Sequence, residues 1–193
     1  MIRRLYDWTM GLAGRRNALW ALAAVSFIES SVFPIPPDVM LLPMVLAARE
    51  RAWLIAGVAT LASVAGGFLG YAIGALLFDS VGQPILEFYG YGERFAEFQL
   101  RYNEWGFWIV LVAGFTPFPY KVITIASGVA GLDLLTFALA SVVSRGARFF
   151  LVAALLWRFG PAIRAFIEKY LGLLTALFMV LLIGGFVAIK YLF

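Results

Sequence analysis

Apolar residues run along this chain in long blocks, cut by proline or by charge at a few sharp places. Residues 1 to 17 set Arg3, Arg4, Arg15 and Arg16 around Leu5, Tyr6, Trp8, Met10 and Leu12, the pattern of an amphipathic segment lying at a membrane interface. Ala21-Leu22-Ala23 imitates a signal-peptide cleavage site, but the apolar stretch continues past it to Phe33, so this segment is expected to be retained. From Ala18 to Ala48 the only charges are Glu29 and Asp38, and Phe33-Pro34-Ile35-Pro36-Pro37 breaks the stretch in its middle. Proline lacks an amide donor and disfavours helical geometry in the residue before it, so two helical pieces of about 16 and 11 residues are expected around an extended kink. Neither reaches the roughly 20 residues that span a bilayer. Residues 53 to 78 do form a span, with Gly66, Gly70 and Gly74 at the every-fourth spacing that lets a neighbouring helix approach closely. Residues 79 to 104 are the sustained polar stretch. There Phe95, Phe98, Tyr102 and Trp105 fall at helical spacing and Glu97 and Arg101 form an i,i+4 pair, which predicts a surface helix on the bilayer. Residues 105 to 131 are apolar again, broken by Thr116-Pro117-Phe118-Pro119; residues 134 to 157 and 171 to 192 are two further spans.

The two broken segments resemble each other. An offset of 83 residues aligns Pro34-Ile35-Pro36-Pro37-Asp38-Val39 with Pro117-Phe118-Pro119-Tyr120-Lys121-Val122, and sets Glu50 against Asp133 at the start of each following span. Paired Pro-interrupted hydrophobic segments at corresponding places in two halves point to a transport site. Nine Lys/Arg fall on the N-terminal side of the membrane and three opposite, whether the broken segments cross or return, so charge places the N-terminus in the cytoplasm without choosing between the two topologies. A full crossing with a non-helical kink at midplane would turn backbone groups toward lipid, whereas a hairpin buried in protein tolerates them. The expected fold is therefore an all-α integral membrane protein. It is an inverted repeat of two re-entrant hairpins, 18–48 and 105–131, each followed by a transmembrane helix, with a C-terminal transmembrane helix and interfacial helices.

Composition narrows the chemistry. Of 193 residues 63% are hydrophobic and 13% charged, the mean hydropathy is +0.93, and there is neither histidine nor cysteine. Thiol chemistry, disulfides, the usual N/S metal sites and histidine proton shuttles are excluded. A net charge of +4 is too small in so apolar a chain to argue for nucleic acid. No metal or cofactor is expected, and isolated acids without a D-x-x-D-like cluster argue against an enzyme.

Five ionisable residues stand deep in apolar sequence: Glu29, Asp38, Lys121, Arg145 and Arg148. An Arg, Lys or Asp at a helix centre costs about 2.5 to 3.5 kcal/mol on the insertion scale, against a return of roughly 0.3 to 0.6 for Leu, Ile, Phe or Val. Arg145 lies roughly 15 Å from either end of its span, too deep to snorkel easily. Its spacing from Arg148 puts both guanidinium groups on one helix face. The bland reading is a structural salt-bridge cluster. Its signs do not balance, since two acids against three bases leave room for an anion. Pro36 or Pro37 and Pro119 sit where a helix first turn prefers proline, so half-helices are expected to begin near Asp38 and Lys121 with free amides toward the midplane.

The stretches Glu29-Ser30-Ser31-Val32-Phe33-Pro34-Ile35-Pro36-Pro37-Asp38 and Gly114-Phe115-Thr116-Pro117-Phe118-Pro119-Tyr120-Lys121 resemble the DedA family, also called the VTT or SNARE-associated-Golgi domain, most of all its YqaA-like bacterial branch. The likeness covers 18 to about 160. It implies that this region is a transport domain, that Glu29 and Asp38 are functional acids, and that phospholipid or polyprenyl phosphate moves between leaflets. The family's second motif carries an Arg beside its Gly and another after its proline; Phe115 stands at the first place and Lys121 near the second, leaving Arg145 or Arg148 to supply the missing cation. The expected substrate-binding set is Lys121, Arg145, Arg148 and Thr116, with Glu29 and Asp38 as proton-coupling or orienting acids and Pro34, Pro36, Pro37, Pro117 and Pro119 as hairpin breaks. The expected function is a transporter or scramblase for an anionic lipid headgroup in the bacterial inner membrane. Proton-coupled transport of an ion or small solute, and a non-transporting scaffold for membrane homeostasis, are the alternatives. The glycine stripe would suit contact within or between protomers of a homo-oligomer.

Overall fold

A computed structural model describes residues 17–32, 36–116, 118–160 and 162. The N-terminal interfacial segment, apart from Asn17, the C-terminal span 171–192, Pro34 and Pro117 lie outside the described residues. The described elements are α1 (Ala18–Ser31), α2 (Asp38–Ala47), a 3-10 turn (Arg49–Arg51), α3 (Ala52–Leu77), a π turn (Phe78–Gly82), α4 (Gln83–Tyr89), α5 (Gly92–Phe115), α6 (Tyr120–Val129) and α7 (Leu134–Gly160). No strand occurs among the described residues. The stretch Arg49–Tyr89 and α7 are the two helices long and apolar enough to cross a membrane. The chain divides into two compact units, 1–157 and 158–193, and both helix breaks lie in the first.

Both proline runs interrupt helices as their chemistry requires. α1 and α2 hold 14 and 10 residues, with Pro37 as the residue that caps α2 at Asp38. Pro119 stands in the same place before Tyr120 of α6. The polar stretch is organised differently from the single surface helix expected at 79–104. Gly90, with φ of 68°, takes a left-handed conformation open to glycine and ends α4 there. Helix α5 then runs unbroken through the boundary expected at 105, because nothing between Gly92 and Phe115 stops it. Gly106 is an approach point for Leu132, not a hinge.

Helices α3 and α7 are antiparallel. Trp53 meets Phe150 and Trp157 at one end, Ser63 touches Arg145 in the middle, and Tyr71 meets Phe137 and the Leu132 carbonyl at the other. Helices α5 and α6 fold back on each other: the Tyr102 hydroxyl lies 3.0 Å from that of Ser127, Asn103 donates to the Ala130 carbonyl, and Gly114 lies against Tyr120 near the turn. That turn sits beside Ser144 and Arg148, midway along α7. Asp133 caps α7, its Oδ2 accepting from the Thr136 amide at 2.8 Å and hydroxyl at 2.9 Å, and these bonds hold its carboxyl below the usual range.

The inward face of α3 is made mostly of small residues. Helix α3 buries Ala56, Ala59, Ser63, Gly66, Gly67, Gly70 and Gly74, while Leu54, Leu61, Phe68, Leu69 and Leu76 face outward. Small buried residues let backbones approach where lipid tails satisfy the large apolar side chains. The Gly66-Gly70-Gly74 stripe serves contacts within the protomer: a Cβ at Gly66 would overlap the Phe27 carbonyl of α1, and one at Gly74 the Ile125 carbonyl of α6. Both broken segments thus lean on one helix face. Gly66→Ala and Gly74→Ala are each expected to cost about 1 to 3 kcal/mol by overpacking, read as a lower melting temperature in detergent. Gly57→Ala, where nothing lies within 4 Å, is expected to leave it unchanged or slightly raised.

Candidate functional site

The five charges predicted deep in apolar sequence lie at the two helix breaks. Arg145 reaches Glu29, near the end of α1, with Nη2 to Oε2 at 3.0 Å. Arg148, one turn further along α7, reaches Asp38 at the start of α2 with Nη2 to Oδ2 at 2.6 Å. The same two guanidinium groups also grip the second break: Arg145 Nη1 donates to the Gly114 carbonyl at 3.5 Å and Arg148 Nη1 to the Thr116 carbonyl at 2.7 Å. Thr116 contributes its backbone there, while its hydroxyl turns back to the Ala113 carbonyl at 3.4 Å. Lys121, just after the second break, donates to the Val32 carbonyl just before the first at 3.1 Å. The edges of the two breaks are therefore joined twice over, by Arg148 and by Lys121.

The two pairs differ in setting. Arg145 is 2% exposed, and each of its three guanidinium nitrogens makes a hydrogen bond. Its Nε donates to Ser63 Oγ at 2.7 Å, and its charge sits over the rings of Tyr120 at 4.9 Å and Phe149 at 4.7 Å. Ser63 Oγ also lies 2.7 Å from Ser30 Oγ, a pair in which either hydroxyl can donate, and Ser30 Oγ lies within hydrogen-bond distance of Glu29 at 3.2 Å and of the Ser26 carbonyl at 3.0 Å. A row of two hydroxyls thus runs between the cation and its own anion. The second pair is more open, Arg148 at 20% and Asp38 at 23% exposure. Asp38 Oδ1 is buried and has no partner.

All the charged site residues expected from the sequence meet here, with two acids paired to two arginines. Among the described residues Lys121 has no carboxylate within ion-pair distance, so the site keeps one positive charge in excess. Pro36, Pro37 and Pro119 border it; Pro34 and Pro117 fall outside the described residues. Sequence reasoning missed Ser30, Ser63, Tyr120, Phe149 and the Gly114 carbonyl. Ser63 was legible in principle, since it lies three residues before Gly66 and so on the same buried face. The aromatic cage carries no comparable signal in a chain that is 17% aromatic.

Paired charges of both signs at breaks in apolar helices define a class: an all-α membrane protein with a polar site inside its apolar body. The comparisons with known proteins then identify the family. Residues 35–158 match the VTT domain, and the chain belongs to that family, the DedA family. It is 44% identical over 151 residues to an uncharacterized protein of Haemophilus influenzae, covering 78% of each chain. It is 42% identical over the same length to an uncharacterized protein of Histophilus somni, again covering 78% of each. No solved structure matches. Membership makes the chain a membrane protein and points to a transporter-like or membrane-homeostasis role.

Arg145→Ala strands Glu29 without its counter-charge and is expected to cost about 3 to 5 kcal/mol, as breaking a buried pair does. Arg148→Ala, at the more open pair, is expected to cost clearly less. Thermal unfolding in detergent checks the order, and adding Glu29→Gln to Arg145→Ala is expected to recover part of the loss.

Proposed function

We propose that the protein moves an anionic phosphate headgroup, of a phospholipid or a polyprenyl phosphate, between the leaflets of the bacterial inner membrane. The observation that carries this reading is Arg148, a partly exposed guanidinium tied to Asp38 at one break and Thr116 at the other. A phosphate entering between the breaks meets a cation already drawn toward both of them. Arg–phosphate contacts are charge-assisted and commonly bidentate, strong enough to compete with Asp38 for the same N–H groups. Lys121 supplies the unmatched charge, and Arg145, sealed behind its aromatic cage, holds the frame. In this reading both broken segments are re-entrant hairpins; the fold-back of α5 on α6 beside the middle of α7 supports that of the second. The N-terminus lies in the cytoplasm, as the nine-to-three division of basic residues favours.

In proteoliposomes, Arg148→Ala and Lys121→Ala are each expected to abolish headgroup movement between leaflets while the protein stays folded. Full activity in both variants would overturn the reading.

One observation favours a second reading, proton-coupled transport of an ion or small solute. Asp38 Oδ1 is buried without a hydrogen-bond partner at the more open of the two pairs, an acceptor left for a group that the transport cycle brings in. A pH gradient is then expected to drive uptake by the wild-type protein and not by Asp38→Asn; uptake indifferent to the gradient in the wild type removes this reading.

A further inference from the structure

A second group of side chains lies well away from the ion pairs, where the start of α3 meets the end of α7. Trp53 stacks on Phe150, with centroids 6.2 Å apart and planes 17° apart, and lies against Trp157 at 6.1 Å. These three rings do not fill the core: Trp53 is 47%, Phe150 39% and Trp157 46% exposed. Immediately before Trp53 in the chain come Arg49 and Arg51 on their 3-10 turn. Arg49 donates from Nη2 to the Trp157 carbonyl, which fixes its guanidinium at the edge of the aromatic cluster. Among the described residues neither arginine is within ion-pair distance of a carboxylate, Glu50 included. Trp157 follows Arg148 by nine residues on one helix, which puts the cluster about 14 Å from the central pairs.

A tryptophan pair at the ends of two antiparallel spanning helices lies at the level of the lipid headgroups, where amphipathic rings prefer to sit. Arginines at that same level, without a carboxylate partner among the described residues, suit the phosphates of anionic lipid. We infer that Arg49, Arg51, Trp53 and Trp157 form a binding site for the phosphodiester headgroup of an anionic phospholipid, held at the edge of the protein and separate from the cargo. The arginines take the phosphate; the stacked rings support the glycerol and upper acyl chains. The site is independent of the transport reading, since it shares no residue with it.

The test uses full-length protein in nanodiscs whose lipids carry brominated acyl chains, brominated phosphatidylglycerol against brominated phosphatidylcholine at equal mole fraction. Quenching of tryptophan emission is expected to be stronger with the phosphatidylglycerol, from a local enrichment of roughly five- to thirtyfold for one or two arginines engaged. The excess is expected to vanish in Arg49→Gln/Arg51→Gln and in Trp53→Phe/Trp157→Phe, and to persist in Arg49→Lys/Arg51→Lys and in Arg148→Ala. If removing the Arg49 contact unfolds the protein, Arg51→Gln alone is expected to reduce the excess. Equal quenching by the two lipids in the wild type would overturn the site. So would an excess that survives Arg49→Gln/Arg51→Gln, or one that disappears in Arg148→Ala.

Discussion

The rest of the site depends on where Arg145 puts its charge. A guanidinium in the middle of an apolar helix is tolerable only if its N–H groups and its π faces find partners, and here they do. Nε goes to Ser63, Nη1 to Gly114 and Nη2 to Glu29, with rings of Tyr120 and Phe149 beside it. Those partners come from α1, α3, α5, α6 and α7, so one residue sets the relative placement of five helices. Cation–π contact is worth more in a desolvated setting than at a surface, which suits a cage of this kind. Arg148 inherits its position from that anchor. It is the same helix face one turn on, with fewer partners and more exposure, and the difference between a fixed arginine and an available one arises from neighbours alone.

The glycine stripe of α3 makes this arrangement possible. Tyr120 enters the core beside Gly67, and Thr124 sits close to Gly70 with its hydroxyl 3.2 Å from the Ser30 carbonyl. Without small residues there, α1 and α6 would stand too far from α3 for Ser30 and Ser63 to share a hydrogen bond. Polar and apolar requirements are thus met on one face: glycines bring the backbones together, and serines three or four residues away use the closeness.

Much of this was legible in the sequence. The proline runs announced the breaks because the missing amide of Pro37 and Pro119 acts locally, whatever the surroundings. The five charges announced the site because each is costly to place in apolar sequence and so needs a polar partner there. What was not legible came from longer range. Which acid pairs with which base is decided by packing of α1 and α2 against α7, and nothing at positions 29 or 38 says that Glu29 takes the sealed place and Asp38 the open one. The boundary expected at 105 failed for a related reason. Composition changes there, from polar to apolar, while backbone propensity does not, and α5 follows propensity. Thr116 was expected in the substrate-binding set, yet its carbonyl, which every residue has, makes the contact with Arg148.

The pairing of Glu29 with Arg145 spans 116 residues and that of Asp38 with Arg148 spans 110. A ribosome adding about 5 to 20 residues per second needs roughly 6 to 23 seconds to cover that distance. Throughout that interval the first broken segment has emerged with two acids and without either of the arginines they pair with. Two unpaired carboxylates are costly in hydrocarbon, so the stable seating of that segment depends on the later arrival of α7. The last described helix therefore completes both ion pairs, and a chain halted before Arg145 carries its first broken segment without them.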